Sequence, residues 1–111
     1  MNDKLAEAEF LEQSERMMAR IEQALDDSSE DFDWEIQPGG VIEITCDDDS
    51  KVIINRHTAA REIWIAARSG GFHYRFDATQ ALWLNTRDGE ELFTALNRVL
   101  TLQQGSPVNL S

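Results

Sequence analysis

Cysteine is almost absent from this chain of 111 residues, in which Cys46 is the single one. One thiol cannot form an internal disulfide, and it cannot supply the several thiolates that a structural zinc or a metal–sulfur cluster requires. Long apolar runs are missing as well, since none approaches the ~18 residues that cross a membrane. The first residues also lack the basic and then apolar order of a signal peptide. We therefore expect a cytoplasmic protein that is not bound to a membrane.

Basic residues are scarce, with 10 Lys and Arg against 21 Asp and Glu and a formal net charge of −11. This balance argues against nucleic acid as a partner, because phosphate backbones recruit Lys and Arg. The acidity belongs to one half of the chain. Residues 1–50 contain 16 acidic and 3 basic side chains, whereas residues 51–111 contain 5 acidic and 7 basic ones. Such asymmetry indicates a surface that attracts cations or basic proteins, or else a solvated face that keeps the protein soluble.

Signatures of an enzyme are missing. The glycine pairs Gly39-Gly40 and Gly70-Gly71 lie in predicted hairpin turns and open no phosphate-binding helix. No Cys or carboxylate accompanies His57 or His73 at the spacing of a zinc site or a catalytic dyad. We expect Cys46 to be a small buried hydrophobe rather than a nucleophile. The chain is therefore not expected to be a catalyst.

The length and the 41% hydrophobic content suit one domain over residues 1–111. Residues 3–27 lack Gly and Pro and predict a helix. Its apolar stripe is expected to contain Leu11, Ser14, Met18, Ile21 and Leu25, extended by Leu5 and Ala8. A second helix is predicted over about residues 89–103 by the capping pattern Asp88 to Glu91, and Gly105 with Pro107 ends it.

Between the helices the period changes to two, which predicts six short strands. In the first strand Phe32, Trp34 and Ile36 are expected to be buried, opposite Asp31, Asp33 and Glu35. Tight turns make successive strands antiparallel neighbours. The prediction is an α+β fold, a two-layer sandwich of an antiparallel sheet with both helices on one face. The uncovered face then presents Trp64, His73 and Arg75.

Carboxylates concentrate where the first helix ends and the first strand begins. They are Asp26, Asp27, Glu30, Asp31, Asp33 and Glu35. Carboxylate oxygens are hard ligands that suit Mg, Ca, Mn and iron, and without His or Cys they form an open, weak site. Turn chemistry explains the second acidic group, Asp47 to Asp49, adequately.

Particular residues resemble the bacterial frataxin family, the CyaY-like proteins. The resemblance covers about residues 15–105, and its specific part is the middle of the chain. It is carried by Leu25-Asp26-Asp27, by Gly40-Val41-Ile42-Glu43-Ile44-Thr45, by Ser50-Lys51-Val52-Ile53-Ile54-Asn55-Arg56, by Ile63-Trp64-Ile65-Ala66 with Gly70-Gly71-Phe72-His73-Tyr74, and by Trp83 with Arg87-Asp88-Gly89.

The resemblance implies a frataxin-like fold, weak binding of Fe²⁺ or Fe³⁺ along an acidic ridge, and a role in iron–sulfur cluster assembly. The implied partners are the cysteine desulfurase and the scaffold machinery. We expect a monomer, and the sequence leaves open whether iron promotes oligomers. In this sequence the ridge corresponds to Asp26, Asp27, Asp31 and Asp33, with Glu22 and Glu30 as contributors. Partner contact is implied for Asp26, Asp27, Asn55, Arg56 and Trp64, and we add His73, which is predicted beside Trp64.

Two positions depart from the family pattern, which usually has Gln at His57 and Pro at Ala59. Two other functions stay open. Clustered carboxylates could oxidise and store iron, although the Glu-x-x-His spacing of di-iron sites is missing. The acidic surface could also serve an adaptor that binds a basic protein without metal.

Overall fold

A computed structural model describes residues 6–28 and 32–111. Helix α1 spans Glu7–Asp27 and helix α2 spans Leu92–Gln104. Between them lie β1 (Asp33–Gln37), β2 (Val41–Thr45), β3 (Lys51–His57), β4 (Glu62–Ala67), β5 (Gly70–Asp77) and β6 (Leu82–Asn85). Neither helix of the described part is apolar enough over a sufficient length to cross a membrane.

The strands form one six-stranded antiparallel sheet in sequential order from β1 to β6. Alternation along each strand separates an inner face, which the helices cover, from an outer face. Ile42, Ile44, Ile54, Ile63 and Ile65 are buried on the inner face together with one side of each helix. The helix–sheet–helix prediction, with an antiparallel sheet of six strands, is therefore confirmed.

Helix α1 buries Ser14, Met18, Ile21 and Leu25 as predicted, but its buried stripe also contains residues that were not predicted. Its buried residues are Phe10, Ser14, Met17, Met18, Ile21, Ala24 and Leu25. The expectation that Ala8 belongs to the stripe was wrong, since Ala8 is exposed, and Leu11 is half-buried. Phe10 takes the central place because its ring meets Trp83 of β6 edge-on, with the centroids 6.0 Å apart. Leu5 lies outside the described residues.

The N-terminal cap of α2 is Glu91 and not the predicted Asp88. The Glu91 carboxylate accepts hydrogen bonds from the backbone N–H groups of Phe93 and Thr94, at 2.8 and 3.1 Å. Asp88 instead closes a turn by accepting from the N–H of Glu90. The helix therefore begins at Leu92, three residues later than expected. Its end is as predicted, with Gly105 in the left-handed region at φ 76°.

The buried face predicted for β1 was wrong at Ile36, which is 57% exposed. Ile36 lies on an edge strand, where a neighbouring strand covers it on one side alone. Phe32 is buried as expected, whereas Trp34 is half-buried. Cys46 is also buried as predicted, and burial raises the pKa of its thiol.

The chain after α2 folds back against the helices. Val108 and Leu110 are buried at 2% and 5% exposure. The Asn97 side chain donates to the carbonyl of Leu110 and accepts from its N–H, at 3.0 and 2.7 Å. The Thr101 hydroxyl accepts from the N–H of Val108. These contacts make residues 108–110 part of the core.

Tyr74 lies at the centre of the core and is fully buried. Within the described part of the chain no residue meets hydrogen-bond geometry at its hydroxyl, although the Asn85 side chain lies near enough to lower the pKa of Tyr74 in part. Burial raises the pKa of Tyr74 to about 12, because the phenolate would lose its hydration. The neutral phenol is therefore the form that the core accepts.

Replacing Tyr74 by Phe is expected to leave the free energy of unfolding at pH 7 unchanged or to raise it by up to about 1 kcal/mol, since it removes a buried hydroxyl whose desolvation no well-formed hydrogen bond offsets. In the parent protein, stability should fall as the pH rises from about 10, where the unfolded tyrosine ionises, through about 12. In the Tyr74→Phe variant, this loss of stability between about pH 10 and 12 should be absent. Urea unfolding at pH 7 and pH 11 measures both effects. A loss above about 2 kcal/mol at pH 7 would mean that the hydroxyl makes a stabilising hydrogen bond.

Candidate functional site

Carboxylates crowd the last turn of α1 and the start of β1. Asp26, Asp27 and Asp33 are exposed and Glu22 is half-buried. We call these four residues the acidic end. The last turn of α1 contains no basic residue, so the negative charges face the negative pole of the helix dipole. The arrangement costs stability, and a bound cation would remove that cost.

No basic side chain neutralises the acidic end within residues 6–28 and 32–111. None of the ion pairs found there involves Glu22, Asp26, Asp27 or Asp33. The one side-chain partner found for these four is Gln23, whose amide donates to Asp27 at 3.0 Å. The acidic end therefore keeps its charge available.

Arginines from the second half of the chain pair with two other acids of α1. Arg56 lies 3.7 Å from Glu15, and Arg61 lies 3.7 Å from Glu7. Within the helix, Arg16 pairs with Glu12 at 3.2 Å. Basic partners are thus found for acids in the first part of the helix, and the unpaired negative charges lie toward its end.

The acidic end is not a closed chelate. Across the described residues, no three His, Cys, Asp or Glu side chains come close enough to hold a metal ion. Two of the predicted ligands, Glu30 and Asp31, lie outside those residues. Exposed carboxylates without a cage bind hard cations weakly and exchange them readily.

The acidic turn Asp47 to Asp49 belongs to local structure. Asp48 accepts a hydrogen bond from the N–H of Ser50 at 2.9 Å and pairs with Arg68 at 2.6 Å. Hydrogen bonds from Ser50 and Arg68 lower the pKa of the Asp48 carboxyl. Asp49 occupies the left-handed region at φ 68°. These contacts support the turn interpretation.

The outer face of the sheet carries a stack of three rings. The indole of Trp64 lies between His57 and His73, with centroid distances of 3.9 and 4.3 Å and interplanar angles of 13° and 8°. We call these residues the aromatic stack. The register produces it, because Trp64 pairs with His73 of β5 and with Asn55 of β3, two residues before His57. Both faces of the indole are therefore covered.

Glu62 lies under the aromatic stack and is buried at 6% exposure. One carboxylate oxygen accepts the indole N–H of Trp64 at 2.8 Å. The other accepts two N–H groups of Arg75, at 2.9 and 3.2 Å. His73 Nδ1 lies 3.6 Å from Glu62. The carboxylate thus links three side chains of the outer face.

The structure brings three of the six predicted partner-contact residues together on the sheet. Asn55, Trp64 and His73 share the outer face, since the three are directly paired across β3, β4 and β5. Arg56 lies on the opposite face and turns toward α1 and Glu15. The prediction that Arg75 lies on the outer face is confirmed, but Arg75 binds Glu62 and does not cover the indole.

His57 was missed as a neighbour of Trp64 from sequence. The histidines are 16 positions apart, and their meeting depends on the register of two strand pairs. A signal was present, because the short turn at Thr58–Ala60 fixes His57 opposite Glu62. Counting outward from that turn places His57 and Trp64 on the same face.

A family model described as a frataxin-like domain matches residues 3–106. The chain is 46% identical over 104 residues to the iron-sulfur cluster assembly protein CyaY of Dechloromonas aromatica, covering 94% of this chain and 97% of that protein. It is 43% identical over 110 residues to the protein of the same name from Janthinobacterium sp., covering 96% of each.

The solved frataxin from Psychromonas ingrahamii superposes with a TM-score of 0.85 at 23% identity, covering 96% of this chain and 99% of that one. At this identity the likeness concerns the fold. The sequence relatives bear the name of an assembly protein and not of a catalyst. On the family match and these identities, the chain belongs to the bacterial CyaY frataxin family.

Proposed function

We propose that this protein acts in iron–sulfur cluster assembly, as a weak iron binder that regulates the cysteine desulfurase through its acidic end. One observation carries the proposal most directly. Within the described residues of this chain, Asp26, Asp27 and Asp33 have no basic partner, while several other acids of α1 are paired. The relatives of the chain are named as assembly proteins. The proposal also assigns a cytoplasmic location and a monomeric state.

Iron is cargo in this proposal and not a resident cofactor. The ligands are Glu22, Asp26, Asp27 and Asp33, with Glu30 and Asp31 added from the sequence. Their oxygens suit Fe²⁺ and Fe³⁺, and the open arrangement favours rapid release. A bound cation would also relieve the repulsion at the end of the helix.

The same charges serve recognition of a protein partner. An unneutralised acidic surface steers a basic patch toward it and raises the association rate at low salt. Iron and the desulfurase then compete for one surface. A second contact uses the outer face, where Asn55, Trp64 and His73 would meet the scaffold machinery.

Titration with Fe²⁺ under anaerobic conditions, followed by NMR, tests the proposal. Paramagnetic broadening should stay within residues 22–35, and exchange of Asp26 and Asp27 for Asn should reduce it. Matched exchange of Glu9 and Glu12 for Gln, at the other end of α1, should leave it unchanged.

Two results would instead favour the other functions. Oxidation of Fe²⁺ faster than in buffer alone would indicate a ferroxidase or storage protein. Tight binding to the desulfurase without any response to iron would indicate an acidic adaptor.

Replacing Trp64 by Ala is expected to weaken binding to the desulfurase–scaffold assembly at least about tenfold, as interface tryptophans typically do. Stability should fall by about 1 kcal/mol, because two ring contacts and one hydrogen bond are lost at a half-buried site. Isothermal titration calorimetry and thermal unfolding measure these effects. Leu102→Ala is the control, since Leu102 is a 65% exposed residue of α2. Unchanged affinity in the Trp64 variant would remove the outer face from the proposal.

A further inference from the structure

Glu62 is an unusual residue for the outer face of a sheet, because its side chain is a carboxylate at only 8% exposure. Burial of a charge is unfavourable unless the charge is paired and hydrogen-bonded. Both oxygens of Glu62 meet that condition, one through Trp64 and the other through Arg75. The carboxylate is thus held in one position by Arg75, and the Trp64 indole is hydrogen-bonded to it.

The contacts of Trp64 restrict its ring on both faces and at its N–H edge. The hydrogen bond to Glu62 fixes the N–H edge, and His57 and His73 cover the two faces at stacking distance. What stays accessible is the remaining edge of the indole. Beside it lies a shallow apolar groove lined by Ile53, Ala66 and Gly71.

We propose that Glu62 is a positioning residue, which holds the Trp64 indole in one orientation and thereby presents its free edge and the adjacent groove to the partner. The inference rests on the proposed function, in which the outer face contacts the assembly machinery. A side chain that is ordered before binding loses less conformational entropy on docking. Glu62 therefore contributes to affinity without contacting the partner.

A purely structural role would be different. Glu62 would then neutralise Arg75, and its loss would lower stability while leaving the indole in place between the two imidazoles. The order of the indole and the affinity for the partner distinguish the two roles, and stability does not.

The test uses Glu62→Leu and Glu62→Gln in the full chain. Leu removes all three hydrogen bonds that the carboxylate accepts, whereas Gln keeps an acceptor for the indole N–H and loses the charge that pairs with Arg75. Glu43→Gln is the matched control, since Glu43 is a glutamate of the outer face that pairs with Lys51. Should the Glu62→Leu variant fail to fold, the Glu62→Gln variant carries the test, with smaller changes expected in indole order and in affinity.

The direct readout is the indole N–H signal of Trp64 in ¹⁵N NMR, assigned with Trp64→Phe, with Trp34 and Trp83 as internal references. In Glu62→Leu we expect hydrogen exchange of this N–H to rise about tenfold and its heteronuclear NOE to fall. Glu62→Gln should give a smaller change, and Glu43→Gln none. An unchanged Trp64 signal in a folded Glu62→Leu protein would overturn the inference.

Binding to the desulfurase–scaffold assembly is the second readout. Glu62→Leu should weaken it about threefold to tenfold, with Glu62→Gln in between. If the indole is freed and affinity stays at the parent value, the inference is wrong although Trp64 still matters. If Trp64→Ala itself leaves affinity unchanged, the outer-face contact of the proposed function fails, and the NMR result alone decides whether Glu62 orders the indole.

Discussion

Replacing Asp26 and Asp27 together by Lys is expected to weaken binding to the cysteine desulfurase about tenfold to a hundredfold at low salt. The pair of substitutions turns two exposed negative charges of the acidic end into positive ones, so that a basic patch is repelled instead of attracted. The affinity should also lose most of its dependence on salt, because screening acts on the removed attraction. Titrations at two salt concentrations measure both effects.

The same variant should be more stable than the parent protein. Lysines in the last turn of α1 complement the helix dipole, where the parent has no basic residue, and each contributes about 0.3–1 kcal/mol. Thermal unfolding should show a higher midpoint together with the weaker binding. A gain in stability with a loss of affinity would identify Asp26 and Asp27 as residues kept for function.

Glu9→Lys with Glu12→Lys is the matched control for this experiment. It changes the net charge equally on the same helix, at positions 14 to 18 residues and therefore roughly 21–27 Å along the helix axis from Asp26 and Asp27. At physiological salt that separation exceeds the Debye length of about 8 Å, so the affinity measured at the higher salt concentration should change less than about threefold. Equal losses in both variants would mean that the partner responds to net charge and not to the acidic end.

Ending the chain after Ser106 is expected to lower the free energy of unfolding by about 3–5 kcal/mol. The truncation exposes the surfaces that Val108 and Leu110 cover, each worth about 1.5–3 kcal/mol. It also leaves the Asn97 amide without both of its bonds to Leu110. Urea unfolding followed by circular dichroism measures the loss.

Removal of Ser111 alone is the control for that truncation, since this residue is exposed and should be neutral. Leu110→Ala should account for about half of the loss. A truncated protein within about 1 kcal/mol of the parent would show that the helices close over the gap.

The sheet was predictable because its turns and its period of two are local features of the chain. The face of the sheet on which each residue of β3 lies was not predictable, since Val52, Ile53 and Ile54 are all apolar and give no alternation. The family resemblance grouped Arg56 with Trp64, and the apolar run could not correct this, although Arg56 lies on the inner face against Glu15. A shift of one position along the strand moves a side chain to the other face of the sheet, and this decides where Arg56 lies.

The acidic end could be predicted as a concentration of charge, but its freedom from basic partners depends on where the arginines of the second half lie. Arg56 and Arg61 reach the first part of α1, which no local pattern indicates. The cap of α2 was misplaced because Asp is a preferred N-cap residue and Glu is not, whereas the structure uses the Glu91 carboxylate.

The sequential order of the strands bears on how the chain acquires its structure during synthesis. Each hairpin can pair as soon as it leaves the ribosome, because its partner is the strand just made. The apolar side of the finished sheet stays partly uncovered until α2 and residues 108–110 emerge. A stalled nascent chain would therefore display a complete sheet with an unshielded hydrophobic surface, which is the kind of intermediate that molecular chaperones bind.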